Sequence, residues 1–476
     1  METLNPGVNK TSSKGMKIFV VGGGGAGLCA AIAAVDAGAA EVILLEKSHL
    51  LGGDTLISGN IISAAGTRLQ KEAGIEDTPH QYLIDHIQGG RYKSDLILAA
   101  TLVQNGAAAW DWLMDKGCQF PGPDGLHIQH DHTIARSVKL VSPGMVPVLK
   151  QAALARGVQI LFEAPARSLI VEDGKVLGLK IEQNGQEIEL RADSVVLACG
   201  GFGRNAQMVR ETCPALAEAV SWNAPGNTGD GIKMAVAAGA DVIDYPEMTL
   251  NAFRVIQSGA DVKHKVLHPT YLLAGTRALG SILVSTDGKR FYDELGRSYE
   301  MVQAAMQRGP CYFNIFDARI AQPSPWLPEK TFEEQWQSAI QDGMVAAQAT
   351  SLEALAQQIG LPAAALAETV ARWNQAVDAG KDSEYGRSEG LGKIETPPFY
   401  AYKLKPAIVQ TLGGLRINPQ TQVLTAERKP IPGLFAAGQI TGGVHGADYI
   451  GGSSLLELVV FGVIAGHYAA GVPFNW

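Results

Sequence analysis

The stretch that most constrains this chain is Lys17 to Glu46, where KIFVV runs into GGGGAG, then AGLCAAIAAVDAGA, then EVILLE. A short apolar run, a glycine turn, a small-residue helix and a second apolar run ending in an acid form one βαβ pattern. Gly22 permits the turn, Gly24 lets backbone approach a phosphate, and Gly27 lets the helix pack on the strand. The helix N-terminus then faces phosphate charge. Glu46 stands about twenty residues beyond Gly27, where a carboxylate accepts ribose hydroxyls. The spacing reads as a dinucleotide site.

Beyond Glu46 the chain departs from a plain run of alternating strands and helices. LLGGDTLISGN puts Gly52, Gly53, Thr55, Ser58 and Gly59 beside small residues that can pass close to a flat ring. Two alternating segments meet at the turns DGK and NGQ and predict a meander. ADSVVLACGG then predicts a buried strand ending at Gly200, and a similar element, PIPGLFAAGQITGG, returns near the C-terminus. One nucleotide domain made from two chain segments, with a second domain inserted between them, accounts for that return. A chain of 476 residues has length for two or three domains.

Composition narrows the partners. Apolar residues make up 46% and charged residues 18%, so a sizeable core is available. The net charge of -8 and the lack of a basic run argue against nucleic acid. Five scattered cysteines without CxxC spacing point to a reducing, cytoplasmic setting. Residues 1–15 read as a disordered polar lead, and no apolar run is long enough for a membrane span. HIQHDHT (127–133) has metal-like spacing but no second cluster to complete a ligand set, so no metal is expected.

With VVGGGGAGL, LEK, GGDTLISGN, ADSVVLACGGF, GNTGDGIKMA, HPT, GSILVSTDGKRFYDE, QTLGGL, HGADYIGGSSLLE and FGVIAG in place, the chain resembles the flavoprotein family of fumarate reductases and succinate dehydrogenases, which includes the 3-ketosteroid dehydrogenases. The resemblance implies an α/β architecture. A Rossmann-like FAD-binding domain would be built from 16–247 and 404–476, with an inserted α+β capping domain at 248–403. It implies noncovalent FAD, because the segment that carries a linking histidine in some members has Asp54, Thr55 and Ser58 here. It also implies cofactor contacts from Asp230, from Gln439, and from the start of the last helix at Ser454 and Leu455.

The same resemblance frames the chemistry. Members that reduce a dicarboxylate hold it with a histidine and an arginine; Gln410 and Tyr449 stand at those positions here. Without that cationic fork, burying an unpaired carboxylate would cost several kcal/mol. Ketosteroid dehydrogenases carry a tyrosine in the comparable glycine-flanked place, which implies that Tyr449 donates to a substrate carbonyl, helped by a backbone N–H near Ser453. Arg297 or Tyr299 is implied in proton transfer, and His268 in orienting substrate.

The expected protein is an FAD oxidoreductase that moves hydride between flavin N5 and a carbon–carbon bond beside a carbonyl: an enone, a ketone or an enoate. Its electron donor or acceptor is unknown. Two alternatives are a fumarate-reductase-like dicarboxylate reductase with an altered clamp, and a flavin electron-transfer subunit.

Overall fold

The computed structural model describes residues 15–129, 131–183, 185–244, 247–254, 270–323, 329–341, 343–474 and 476, with side chains at 251–254 and 270–274 outside the description. The chain divides into two compact units, the first formed by Met1–Met208, Asn223–Met248 and Gln410–Trp476 and the second by Val209–Trp222 and Thr249–Val409.

A six-stranded sheet organises the first unit, in the order Gln422–Leu424, Pro430–Ala436, Ser194–Leu197, Lys17–Val21, Glu41–Leu45, Gln159–Leu161. All neighbours run parallel except the first pair. Strands covered on both faces need continuous apolar runs. Ile18, Phe19, Val20, Val195, Val196 and Leu197 are accordingly all fully buried. Leu434 pairs with Val195 on one side of this core while Val20 pairs with Val196 on the other, so the two distant chain segments share one sheet.

Two helices fill one layer against it. Gly25–Asp36 is buried along almost its whole first three turns, and it packs on the C-terminal helix Ser453–Ala469. Their approach is close enough that a Cβ at Gly466 would sit 2.3 Å from the Ala30 carbonyl oxygen. The glycines of FGVIAG therefore serve backbone contact between helices. The predicted meander is present as Ala166–Glu172, Lys175–Gln183 and Gln186–Arg191. Its first turn has positive φ at both Asp173 and Gly174, as a tight hairpin requires.

The second unit has its own sheet, Val220–Ser221, Phe399–Thr411, Tyr312–Asp317, Ile282–Ser285, with Met248–Arg254 and Ala346–Ala349 also on the long strand. Parallel pairing of Val220 with Ala407 explains why 209–222 groups here, although the sequence assigns that segment to the nucleotide domain. The helices expected in the alanine-rich segment are Leu352–Ile359, capped by Ser351, and Ala363–Asp378. Leu355, Leu366, Val370 and Trp373 form their buried face.

Candidate active site

The glycine turn is shaped by three backbone constraints. Gly22 N–H donates to Leu45 O (2.8 Å), and a Cβ on Gly27 would lie 1.9 Å from Gly22 O. Gly24 caps the helix, and a Cβ there would meet nothing nearer than Gly52 O at 3.7 Å. Glu46 is fixed at the end of its strand: Oε2 accepts from Gly23 N–H and Oε1 from Ser48 N–H, each at 2.9 Å. Open space at the Gly24 Cβ position, a helix N-terminus and an oriented carboxylate suit the diphosphate and ribose of a dinucleotide.

The second glycine segment lies against the first. Gly52 N–H donates to Gly23 O (2.8 Å), and Thr55 Oγ1 accepts from Gly25 N–H (3.2 Å). Gly53 has positive φ and open space where a Cβ would stand. Ser58 closes its own turn by donating from Oγ to Thr55 O (2.8 Å), while Gly59 has only Ile61 near its Cβ position.

Sequence reading missed a polar knot beside this segment. Asp54 accepts from Asn223 Nδ2 (2.8 Å), Asn227 Nδ2 (2.7 Å) and Ala224 N–H. Gln439, with its amide nitrogen towards Asp54 Oδ2 (2.8 Å) and its oxygen accepting from Thr411 N–H (3.1 Å), joins a third segment. Burial raises the Asp54 pKa, against the opposing pull of those donors. Gly200 has positive φ and faces Asn227; a Cβ on its neighbour Gly201 would lie 1.9 Å from Thr411 Oγ1. Asp230, at the start of its helix, accepts from Lys47 Nζ (2.7 Å) and Thr228 Oγ1 (2.9 Å). Burial pushes its pKa up, but the Lys47 ammonium outweighs that and holds it below the usual carboxylate range.

The start of the C-terminal helix is anchored by residues that no local pattern connects. Gly451 O accepts from Ser63 Oγ (2.8 Å) and from His132 Nε2 (2.6 Å). His132 is in turn held by the buried Arg136 (3.1 Å), itself paired with Asp77 and Asp85. His132 of HIQHDHT thus acts as a local prop; His127 contacts Gly125 O (3.1 Å) and Gln129 (3.3 Å), and His130 lies outside the described residues. No group of three or more potential metal-ligating side chains is found among the described residues. Gly452 takes φ 75° to start the helix. The Ser453 N–H goes to Ile450 O (3.1 Å), whereas Ser454 and Leu455 are first-turn groups with no acceptor inside the helix.

Tyr449 stands half-buried on the same loop, and its N–H donates to Asp448 Oδ1 (3.0 Å). Burial, then Asp448, pushes its hydroxyl pKa up to about 12. In the second unit, Arg297 caps the helix Ser298–Met306, and Tyr299 is in its first turn. Glu294, just before them, is locked by Arg290 (2.8 Å) and Arg387 (3.0 Å). Arg277, also missed from sequence, donates to the Glu294 carbonyl (3.2 Å). His268 lies outside the described residues.

The chain is similar to known proteins over most of its length. A family model described as an FAD binding domain matches residues 17–455. An NADH:fumarate oxidoreductase of Klebsiella pneumoniae is 31% identical over 98% of this chain and 48% of its own length. A probable fumarate reductase of Shewanella frigidimarina is 32% identical over 96% of this chain and 75% of its own. A urocanate reductase of Eggerthella lenta is 32% identical over 95% and 74%. The chain thus spans from about half to three quarters of the length of these relatives. Among solved structures, the open form of a flavocytochrome c3 fumarate reductase is similar with a TM-score of 0.79, at 31% identity over 97% of this chain and 79% of that one. A 3-ketosteroid dehydrogenase from Rhodococcus jostii, in complex with 4-androstene-3,17-dione, reaches 0.76 at 26% identity over 98% and 100%. The glycine cradle, the fixed Glu46 and a family match over most of the chain lead to one conclusion: the chain belongs to the FAD-binding-domain family of flavoprotein oxidoreductases and takes FAD as its cofactor.

Proposed function

We propose that the protein moves hydride between FAD and a carbon–carbon bond beside a carbonyl or carboxylate, with Tyr449 as the donor to the substrate oxygen. FAD, when bound, supplies or accepts the hydride at N5. It is held noncovalently by Gly22, Gly24, Gly27, Glu46, Gly53, Thr55, Ser58, Gly59, Gly200, Asp230 and Gln439, and by the first-turn N–H groups of Ser454 and Leu455. The domain that holds it is the first unit, and the second unit is the capping domain.

The observation that carries this reading is the state of Tyr449. It stands on the loop before the helix, edge-on to the buried His445 ring at 6.1 Å, and burial raises its hydroxyl pKa, so the proton stays in place. A hydroxyl that stays protonated donates to an oxygen on which charge develops. Neutral donors suit an enone, a ketone or a monocarboxylic enoate better than a dicarboxylate, whose second charge would need a cation. Relatives named for fumarate and urocanate reduction, and the similar ketosteroid dehydrogenase, act on bonds of this chemical kind. Arg297 or Tyr299 handles the proton at carbon, and His268 orients substrate. No helix is long and apolar enough to cross a membrane among the described residues. Five free cysteines suit a cytoplasmic location.

The test is photoreduction of the purified holoenzyme under anaerobic conditions, followed by addition of enones, enoates and fumarate in turn. Reoxidation of the flavin by an enone or a monocarboxylic enoate, and not by fumarate, is expected. Reoxidation by fumarate alone would establish the dicarboxylate reading. Reoxidation only by a protein partner would establish an electron-transfer subunit.

A further inference from the structure

One acid in the first unit has no role in the chemistry above. Glu457 lies one turn inside the C-terminal helix and is only 3% exposed. Its Oε1 has no hydrogen-bond partner among the described residues. The Gly438 N–H and the Thr441 hydroxyl face the carboxyl. Among the described residues no cation opposes it. On the elements packed against this helix, Asp36 is paired with Lys116 and Arg156, Asp111 with Arg68, and Asp115 is exposed. Burial is the dominant influence and raises the Glu457 pKa to about 8.

This placement links a proton to the cofactor, on the reading that the flavin ring meets the N-terminus of this helix. That N-terminus offers partial positive charge, which favours the negative charge of a reduced ring. A carboxylate one turn behind, about 6 Å along the axis, opposes it. The two negative charges exclude one another in a buried setting. We propose that Glu457 is a proton-coupling group of the flavin, ionised in alkaline solution beside the oxidised ring and protonated when that ring is reduced. The balance is simple. Two electrons enter the ring from the reductant with whatever protons the ring itself binds. One further proton from solvent forms the O–H bond of the Glu457 carboxyl, and no other bond changes. The proton is added between the acidity of Glu457 beside the oxidised ring and its weaker acidity beside the reduced ring, a window on the order of one pH unit wide or more.

Potentiometric titration of the holoenzyme with dithionite across pH tests this. Below about pH 8 the carboxyl is neutral in both states, so the parent and Glu457→Gln should follow one line. Within the window above it the parent should take up one more proton per two electrons, which steepens its potential there by about 30 mV per pH unit. Glu457→Gln should show no such break, and Thr441→Val, which removes a group favouring the ionised form, should move the break to higher pH. A pH indicator in weak buffer should register the same extra proton in the parent. Parallel lines for parent and Glu457→Gln with flavin bound would overturn this proposal alone, as would a parent that takes up no extra proton by the indicator. A protein that binds no FAD would overturn the reading of the site as well.

Discussion

The His445 ring meets the Tyr449 ring edge-on, with centroids 6.1 Å apart and planes at 62°. His445 is buried, and both its ring nitrogens lack partners among the described residues. Burial, reinforced by His86, lowers its pKa well below the ordinary histidine value and keeps it neutral. His86 stands 5.4 Å behind it and donates from Nε2 to Val444 O (2.8 Å), which leaves Nδ1 without a proton. Tyr449 is therefore backed by two neutral rings. A cationic histidine there would make its hydroxyl more acidic; the neutral pair leaves the proton in place for donation.

Tyr449→Phe keeps the ring against His445 and removes only the hydroxyl. Loss of one donor to a developing oxyanion should lower kcat/KM for a ketone or enone by about 100- to 1000-fold. Flavin content and Tm should stay at parental values. Steady-state kinetics with an artificial electron donor or acceptor checks this, and undiminished turnover would remove Tyr449 from the chemistry.

Gly24 and Gly27 should separate cofactor binding from folding. A Cβ at Gly24 finds no protein atom nearer than 3.7 Å, whereas one at Gly27 would collide with Gly22 O at 1.9 Å. Gly24→Ala should leave the Tm of the apoprotein unchanged and weaken FAD binding, because the methyl occupies the space of the phosphate. Gly27→Ala should lower the apoprotein Tm itself by displacing helix from strand. Fluorescence titration with FAD and thermal melts of both apoproteins distinguish the two; equal FAD affinity in Gly24→Ala would move the diphosphate elsewhere.

These contrasts separate what a sequence carries from what it leaves out. The dinucleotide turn was legible because its parts are contiguous: strand, glycines, helix and Glu46 follow one another within a single βαβ unit. The return of the chain at Pro430–Ala436 was legible from its buried-strand pattern. The supports of the site were not. Ser63 and His132 reach Gly451 across more than 300 residues of sequence, with Arg136 behind His132, and Asp54 meets Asn223, Asn227 and Gln439 only after folding. Their types are ordinary for turns and surfaces, so no local pattern sets them apart. The 209–222 segment likewise obeys a strand pairing that no periodicity announces.

Gly466 should prove indispensable for a reason unrelated to flexibility. A Cβ there would lie 2.3 Å from Ala30 O and 2.8 Å from Ala33 Cβ. Alanine has a higher helix propensity than glycine by about 1 kcal/mol. The collision should outweigh that gain, since overpacking of this kind costs about 1–3 kcal/mol. Gly466→Ala should therefore lower stability in denaturant titration. A rise in stability would mean that the two helices can move apart freely.

The buried histidines should make the first unit acid-sensitive. Burial lowers the pKa of His132 to about 4, and moves His86 and His445 in the same direction. An unfolded histidine titrates near 6.5. Between those values the unfolded chain binds a proton that the folded chain does not, so stability is fully present above about pH 6.5 and falls as the pH drops towards 4. For His132 alone the loss is about 3 kcal/mol, at 1.36 kcal/mol for each pH unit between about 6.5 and about 4. His132→Gln has an amide that can donate to Gly451 O and accept from Arg136, but takes up no proton. Its free energy of unfolding should fall less steeply than the parent's between pH 6.5 and 4, by one proton, while matching it more closely at pH 8. Urea titrations across that range provide the measurement. Identical slopes in parent and variant would show that His132 is already protonated in the folded state, and that Gly451 is held by an imidazolium.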